Sequence, residues 1–416
     1  MSKAIKEAEK ILKQYYGYDH FREGQIPVIE AVLEGRDVLG IMPTGAGKSV
    51  CYQVPALMMK GITIVISPLI SLMKDQVGTL NQMGVHAAFL NSSLTSGQYY
   101  KALQLAKQGR YKIIYVAPER LETESFLDFA LSEQVQISFV AVDEAHCVSQ
   151  WGHSFRKEYY NIPDFIQALP TKPLVAAFTA TATPDVRRDI IKRLGIPEAK
   201  IVVTGFDRPN LHFAVQRTQD KERSLLEFMR KHKKDCGVVY CATRNKVESV
   251  TQLLRRQGFS ALRYHAGLTP EERRENQNAF VGGSVPLIVA TNAFGMGIDK
   301  PDVRFVVHYN MPKDIESYYQ EAGRAGRDGL PAECLLLYDK ADIAVNTYLI
   351  GHDQPDLTWK EHELQLLSKM TNYCNTSMCL RKVLLEYFGE KTTSQCNNCG
   401  NCDVNKNASW RKFLKF

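Results

Sequence analysis

Short β-rich runs alternate with longer helical patterns twice along this chain, and that alternation constrains its fold more than any other feature. In the first two hundred residues, strand-like runs at 37–42, 62–67, 112–116, 139–142 and 174–179 are interleaved with helical patterns at 2–16, 24–33, 69–83, 96–107 and 184–194. Strands that are separated by helices pair in parallel, because the helix carries the chain back to the starting edge of the sheet. Helices then cover both faces, and ligands bind beyond the carboxyl ends of the strands. A turn-rich junction, Gly205-Phe206-Asp207-Arg208-Pro209-Asn210, ends the first block. The alternation restarts with runs at 237–241, 262–264, 287–291, 304–308 and 333–338, and the strand signal stops after Asp339. At 416 residues the chain is too long for one ordinary core. The expected class is α/β, with two parallel-sheet lobes at 1–206 and 207–340 and a small helical segment at 341–416.

Within that frame, composition narrows the class of partner. A net charge of +7 mildly favours a polyanion. The first residues lack the apolar core of a signal peptide. The longest apolar run, 62–73, is broken by Ser67, Pro68 and Ser71 and falls short of the ~20 residues that span a bilayer. A cytoplasmic protein with no membrane partner is therefore expected, and its ten cysteines are not expected to form disulfides. Cys51, Cys147, Cys236, Cys241 and Cys334 are read as small buried residues, whereas the cysteines crowded near the C-terminus point to a metal.

The strand ends carry the chemistry. Pro43-Thr44-Gly45-Ala46-Gly47-Lys48-Ser49 follows the first strand and opens a helix. Backbone amides of such a loop cradle phosphates, Lys48 reaches the β- and γ-phosphates, and the Ser49 hydroxyl suits Mg²⁺. An ordinary glycine-rich turn is the competing reading, and position 42 holds Met where the usual motif has its first glycine. The run Val140-Ala141-Val142 ends in Asp143-Glu144, which aims two carboxylates at the same sheet edge. Asp143 fits the second Mg²⁺ position and Glu144 the group that activates water. Upstream, Gln25 has the donor and acceptor that pair with an adenine edge, with Tyr18 or Arg22 stacking on its face; a helix cap competes with this reading. In the second block, Tyr319-Gln320-Glu321-Ala322-Gly323-Arg324-Ala325-Gly326-Arg327 places two arginines one helical turn apart, expected on one helix face. Arg327, with Arg324 close behind, fits an arginine finger, and a structural arginine pair competes. Glycines in 290–299 allow close approach to a phosphate from nucleotide or nucleic acid, and a tight turn alone explains them equally well.

Beside the carboxylates lies Ser149-Gln150-Trp151-Gly152-His153-Ser154-Phe155-Arg156, too polar around its aromatics for a core. Trp151 and Phe155 are candidate platforms for stacked bases, with His153 and Arg156 nearby. His146 is read as the residue that couples this loop to the carboxylates. Ser67, Lys74 and Arg244 are candidate grips on a phosphate backbone. Cys396, Cys399 and Cys402 have the spacing of ligands to one tetrahedral ion, and the residues alone leave Cys374 and Cys379 competing for the fourth place.

Segments 44–49, 143–146, 178–182, 291–299 and 320–327 together resemble the ordered motif set of superfamily-2 helicases. The Phe21-Arg22-Glu23-Gly24-Gln25 element, the 149–156 loop and the cysteines around Tyr387-Phe388-Gly389-Glu390 narrow the resemblance to RecQ DNA helicases of bacterial type. It implies two RecA-like lobes plus a helical zinc-binding subdomain, ATP hydrolysis with Mg²⁺, and structural Zn²⁺. Cys379 is thereby favoured as the fourth ligand, and Gln320 joins Lys48, Asp143, Glu144, Arg324 and Arg327 as catalytic. The resemblance further implies 3′-to-5′ translocation on single-stranded DNA and unwinding of partly duplex DNA in recombination, repair and the SOS response. A monomer associated with the nucleoid, with a single-strand-binding protein as partner, is the expectation. Longer members continue into a winged helix, whereas this sequence stops at Phe416, which weakens the expected unwinding but not DNA-stimulated hydrolysis. A translocase that unwinds weakly, an RNA helicase and an architectural zinc DNA-binding protein are the alternatives.

Overall fold

The computed structural model describes residues 2–149, 151–152, 156–295, 300–353, 357–392 and 395–404, and the chain divides into two compact units between Gly205 and Phe206. The first unit holds strands β1 (Val38–Ile41), β2 (Ile62–Ile66), β3 (Ala87–Leu90), β4 (Ile113–Val116), β5 (Ile137–Val142), β6 (Leu174–Thr179) and β7 (Lys200–Val203). They form one sheet in the order β3-β4-β2-β5-β6-β1-β7, and every pairing is parallel. Strands β1, β2 and β4 are buried along their whole length, as unbroken apolar runs must be when helices cover both faces of a sheet. The covering helices are α1 (Lys3–Tyr16), α2 (Ile26–Leu33), α3 (Lys48–Met58), α4 (Ile70–Gln82), α5 (Ser96–Lys107), α6 (Glu124–Ala130), α7 (Asn161–Ala168) and α8 (Pro184–Leu194). Their ends are set locally. Ser2 accepts the Ile5 N–H at the start of α1, Thr95 and Gln98 form a reciprocal cap on α5, and Thr183 precedes Pro184 at the start of α8.

Strands β3 and β7 escape the alternation pattern for identifiable reasons. The two alanines of β3 give a weak apolar signal, and β7 is an edge strand whose Ile201 and Val203 face outward. Because all strands run the same way, the segments after β1, β2, β4, β5 and β6 leave from one edge of the sheet.

The second unit repeats the architecture with β8 (Leu211–Arg217), β9 (Gly237–Tyr240), β10 (Ala261–Tyr264), β11 (Leu287–Ala290), β12 (Phe305–His308) and β13 (Ala332–Tyr338). Its order is β10-β11-β9-β12-β13-β8, again parallel throughout. Strand β8 is unannounced by the sequence pattern because it is an edge strand, paired along its length with β13 and by a single bridge from Phe213 to Cys399, and ends in polar, exposed residues. Helices α9 (Lys221–Lys231), α10 (Arg244–Arg256), α11 (Pro270–Val281) and α12 (Ile315–Ala322) accompany the sheet. The helical segment α13 (Ala341–Asp353), α14 (Leu357–Asn375) and α15 (Leu380–Tyr387) belongs to this second unit rather than standing as a third. No described helix is long and apolar enough to cross a membrane.

Candidate active site

The segment joining β1 to α3 is the expected phosphate loop. Gly45 and Gly47 both take the left-handed conformation. At Gly47 any side chain would be excluded, since a Cβ would lie 2.4 Å from Gln25 Nε2. Gln25 is buried and donates to the carbonyls of Ala46 and Gly47 at 3.2 and 3.1 Å. Its own Oε1 accepts the Arg22 N–H at 2.9 Å, and Arg22 Nη1 donates to the Gly45 carbonyl at 2.5 Å. The Gln25 amide thus braces the loop from behind. Tyr18 remains 63% exposed and open to stacking. Lys48 Nζ donates to the Met42 carbonyl at 3.2 Å, which ties the ammonium back to the end of β1.

Two strands away in the same sheet, β5 delivers Asp143 and Glu144. The Asp143 N–H still belongs to the ladder, donating to Ile66 at 2.8 Å, so the carboxylate is placed by the strand itself. Burial lifts its pKa to about 7, Glu144 adds to the rise, and Lys48 pulls against it. An anion so desolvated favours a cation close by, which is the chemistry of a divalent-metal ligand. Ser67 is fully buried with its hydroxyl 3.4 Å from Asp143 Oδ2. This corrects its expected role: the side chain supports the carboxylate and is closed to a DNA phosphate. Lys74 is exposed, with its ammonium over the Phe89 ring.

Glu144 adopts the left-handed conformation without being glycine, at φ 47. That turn swings the chain from β5 into a 3₁₀ segment (Ala145–Val148) and brings His146 Nδ1 within 3.3 Å of Glu144 Oε2 and 2.9 Å of Thr179 Oγ1. Burial opposes a charged His146, but Cys147 and Glu144 outweigh it and raise its pKa to about 10. The following loop is seated on the same turn. Gly152 packs so closely that a Cβ would lie 2.4 Å from the His146 carbonyl, and the Arg156 N–H donates to Cys147 at 3.2 Å. Trp151 is 49% exposed, as expected of a stacking platform rather than a core residue. Arg156 reaches the Pro68 carbonyl at 3.4 Å. His153 and Phe155 lie outside the described residues.

In the second unit, α12 ends at Ala322, and residues 323–328 form consecutive turns. Arg324 and Arg327 therefore do not share a helix face, because Gly323 and Gly326 break the helical repeat expected there. Arg324 is buried and donates to the Gly295 carbonyl, while Gln320 and Arg327 are half-buried. Arg244 is exposed at the first turn of α10, beside Gly267.

The thiol Sγ atoms of Cys379, Cys396, Cys399 and Cys402 all lie within 4.8 Å of one another. Two of the separations are 3.9 Å, close to the ~3.8 Å edge of a tetrahedron with Zn–S near 2.3 Å. Cys379 caps the N-terminus of α15, where the helix dipole favours a thiolate. The set fits structural zinc. Cys374 is buried within α14, outside the cluster. The remaining cysteines are buried except Cys236, which is only half-buried.

Residues that sequence reading passed over include Tyr159, whose hydroxyl donates to the Asp143 carbonyl at 2.9 Å, and Thr179 beside His146. Arg208 and Arg381 are two more. Phe178-Thr179-Ala180 was visible as a motif, but nothing local marks the others.

Three family models match consecutive parts of the chain: DEAD/DEAH box helicase at 22–190, helicase conserved C-terminal domain at 220–329, and RecQ zinc-binding at 340–403. A solved structure of Dbp5 from S. cerevisiae bound to RNA and ADP BeF3 shares the fold, with a TM-score of 0.67 at 18% identity over 99% of this chain and 100% of that one. These define the helicase class. The chain is 47% identical to ATP-dependent DNA helicase RecQ of Bacillus subtilis, over 96% of this chain and 67% of the relative. It is 44% identical to the RecQ of Haemophilus influenzae, over 97% of this chain and 65% of the relative. It belongs to the RecQ family of ATP-dependent DNA helicases, and spans about two thirds of the length of these bacterial relatives.

Proposed function

We propose that this chain hydrolyses ATP to step 3′-to-5′ along single-stranded DNA and so unwinds duplex. The observation that carries the proposal is the single turn at Glu144–Val148. It supports the carboxylates on one side and seats the Trp151 loop on the other through Gly152 and Arg156. A base stacked on Trp151 would pull on the same backbone that places Glu144.

In this reading the amides of 44–49 and Lys48 hold the ATP phosphates, and Tyr18 stacks on the base. Ser49 and Asp143 would hold Mg²⁺, which when bound neutralises charge on the β- and γ-phosphates. Glu144 accepts the proton of the attacking water. Arg327 stabilises charge on the transferring phosphoryl, with Gln320 and Arg324 beside it. Trp151, His153, Phe155, Arg156, Lys74 and Arg244 contact the DNA strand, and His146 links that contact to Glu144. Zn²⁺ on the four thiols is structural. A monomer working in the cytoplasm near the nucleoid, with a single-strand-binding protein as neighbour, fits such a motor.

Steady-state hydrolysis should rise strongly with single-stranded DNA, less with blunt duplex and little with RNA, and a duplex with a 3′ overhang should be displaced. Equal stimulation by RNA would reassign the substrate. Hydrolysis indifferent to every nucleic acid would overturn the reading.

A further inference from the structure

Residues 206–211 join the thiol cluster to the arginine loop. On one side, Arg208 Nη1 donates to the Gly323 carbonyl at 3.2 Å, and its Nη2 donates to Ala325 and Gly326 at 3.0 and 2.9 Å. Asn210 Nδ2 adds bonds to Gly326 at 2.8 Å and Leu330 at 2.9 Å. One guanidinium thus spans the turns that hold Arg324 and Arg327. On the other side, the strap is gripped from the cysteine region. Arg381, two residues after Cys379, is buried and donates through Nη1 to Asp207 Oδ1 and to the Arg208 carbonyl, each at 2.6 Å. Asn398, between Cys396 and Cys399, donates to the Pro209 carbonyl at 2.9 Å. Phe206 stacks on Phe388 at 4.5 Å, and Tyr319 donates its hydroxyl to the Phe206 carbonyl at 2.5 Å.

We infer that Arg208 is a positioning residue for ATP hydrolysis, which holds the loop of Arg324 and Arg327 in shape, and that Arg381 anchors it to the thiol cluster. The inference rests on the reading of that loop as the arginine donor. The turns close on short-range bonds, Arg324 N–H to the Glu321 carbonyl at 3.2 Å and Ala325 N–H to the Ala322 carbonyl at 3.1 Å, but these do not supply one group that ties the turns at 323, 325 and 326 together. One planar fork on three carbonyls does, and a lysine ammonium cannot span the same three. A metal held by the four thiols would fix Cys379 and hence the start of α15, from which Arg381 reaches the strap.

The test is Arg208→Lys in the full chain, with Arg208→Ala and Arg381→Lys beside it. DNA-stimulated kcat, KM for ATP, single-strand affinity, zinc content and melting are measured together. Arg208→Lys should lower kcat on the order of 10–10²-fold, the cost of a misplaced reacting group, with KM, DNA affinity and zinc content unchanged. Arg381→Lys should lower kcat by less, with zinc retained. Millimolar guanidinium should restore part of the Arg208→Ala rate, and methylammonium should not. Should Arg208→Ala fail to fold, Arg208→Lys alone decides. A parental kcat in Arg208→Lys overturns the inference. So does a loss of kcat accompanied by equal losses in KM, DNA affinity and zinc, because Arg208 is then a general strut. If the unsubstituted chain shows no DNA-stimulated hydrolysis, the failure lies with the proposed function instead.

Discussion

The two loops that the proposed function assigns to ATP hydrolysis, one in each unit, are built differently. The phosphate loop and the carboxylates of the first unit are held by the segments that carry them: strand end, tight turn, helix start. The arginine loop of the second unit has short-range turn bonds, from Arg324 N–H to Glu321 and from Ala325 N–H to Ala322, but is also held from a distance. Arg208 and Asn210, more than a hundred positions earlier in the chain, bond to its carbonyls, and Arg304 pairs with Asp328. A short motif in sequence can therefore hide a geometry that is set far away. The first loop should fail most on changes within and less on loss of its brace at Gln25. The second should respond to changes at a distance.

The largest effects probe the reacting groups themselves. Lys48→Ala should lower DNA-stimulated hydrolysis by about 10³-fold while filter binding shows single-strand affinity intact. Loss of both together would break the separation between the phosphate loop and the Trp151 loop. Arg327→Ala should cost about 10³-fold in kcat at unchanged KM for ATP, read from full saturation curves. A larger loss in Arg324→Ala than in Arg327→Ala would exchange their roles, since Arg324 is already committed to the Gly295 carbonyl.

A smaller effect tests the bracing of the first loop. Gln25→Ala removes two donated bonds to loop carbonyls and should raise KM for ATP roughly tenfold, worth about 1.4 kcal/mol. A change in kcat alone would place Gln25 with the reacting groups instead.

The smallest concerns Glu316, which is buried and accepts the Tyr387 hydroxyl at 2.6 Å, tying α12 to α15. Burial and then the nearby Asp314 raise its pKa to about 7, and the Tyr387 bond pulls against them. A carboxyl raised on folding binds its proton more tightly in the folded chain. Its cost to stability is therefore absent at low pH and grows as pH rises from the ordinary carboxylate range through about 7. Glu316→Gln should raise Tm by roughly 2–4 °C at pH 8, and the gain should shrink as pH falls through about 7 and vanish below the ordinary carboxylate range in a thermal melt series. A gain independent of pH would assign the effect to packing.

What was legible in the sequence follows the same division. Lys48, Asp143 and Glu144 could be placed because each terminates an apolar run, and a parallel sheet brings such ends to one edge. Cys379 could be chosen over Cys374 only through a family pattern, since both lie near helix ends and their distance to the other thiols is a tertiary fact. For Arg324 and Arg327 the sequence pattern and the structure differ in geometry. Helical spacing was assumed through Gly323 and Gly326, where the chain turns instead. Arg208 looked like part of a turn-rich junction, because three acceptors at positions 323–326 leave no trace around it. Ser67 was read by its place after a strand, and only burial shows that it faces Asp143.

The position of β1 bears on how the chain is made. That strand pairs only with β6 and β7, and Val38 meets Ala176 and Lys200. A ribosome adding about 5–20 residues per second leaves β1 with neither neighbour for several seconds after it emerges. During that interval an apolar strand bearing the phosphate loop waits with both edges open, exposed to chaperones and to other nascent chains. Fragments that end before Leu174 should thus aggregate rather than bind nucleotide. A stalled or slowly translated message would lose protein at that point, long before Arg324 and Arg327 of the second unit are made.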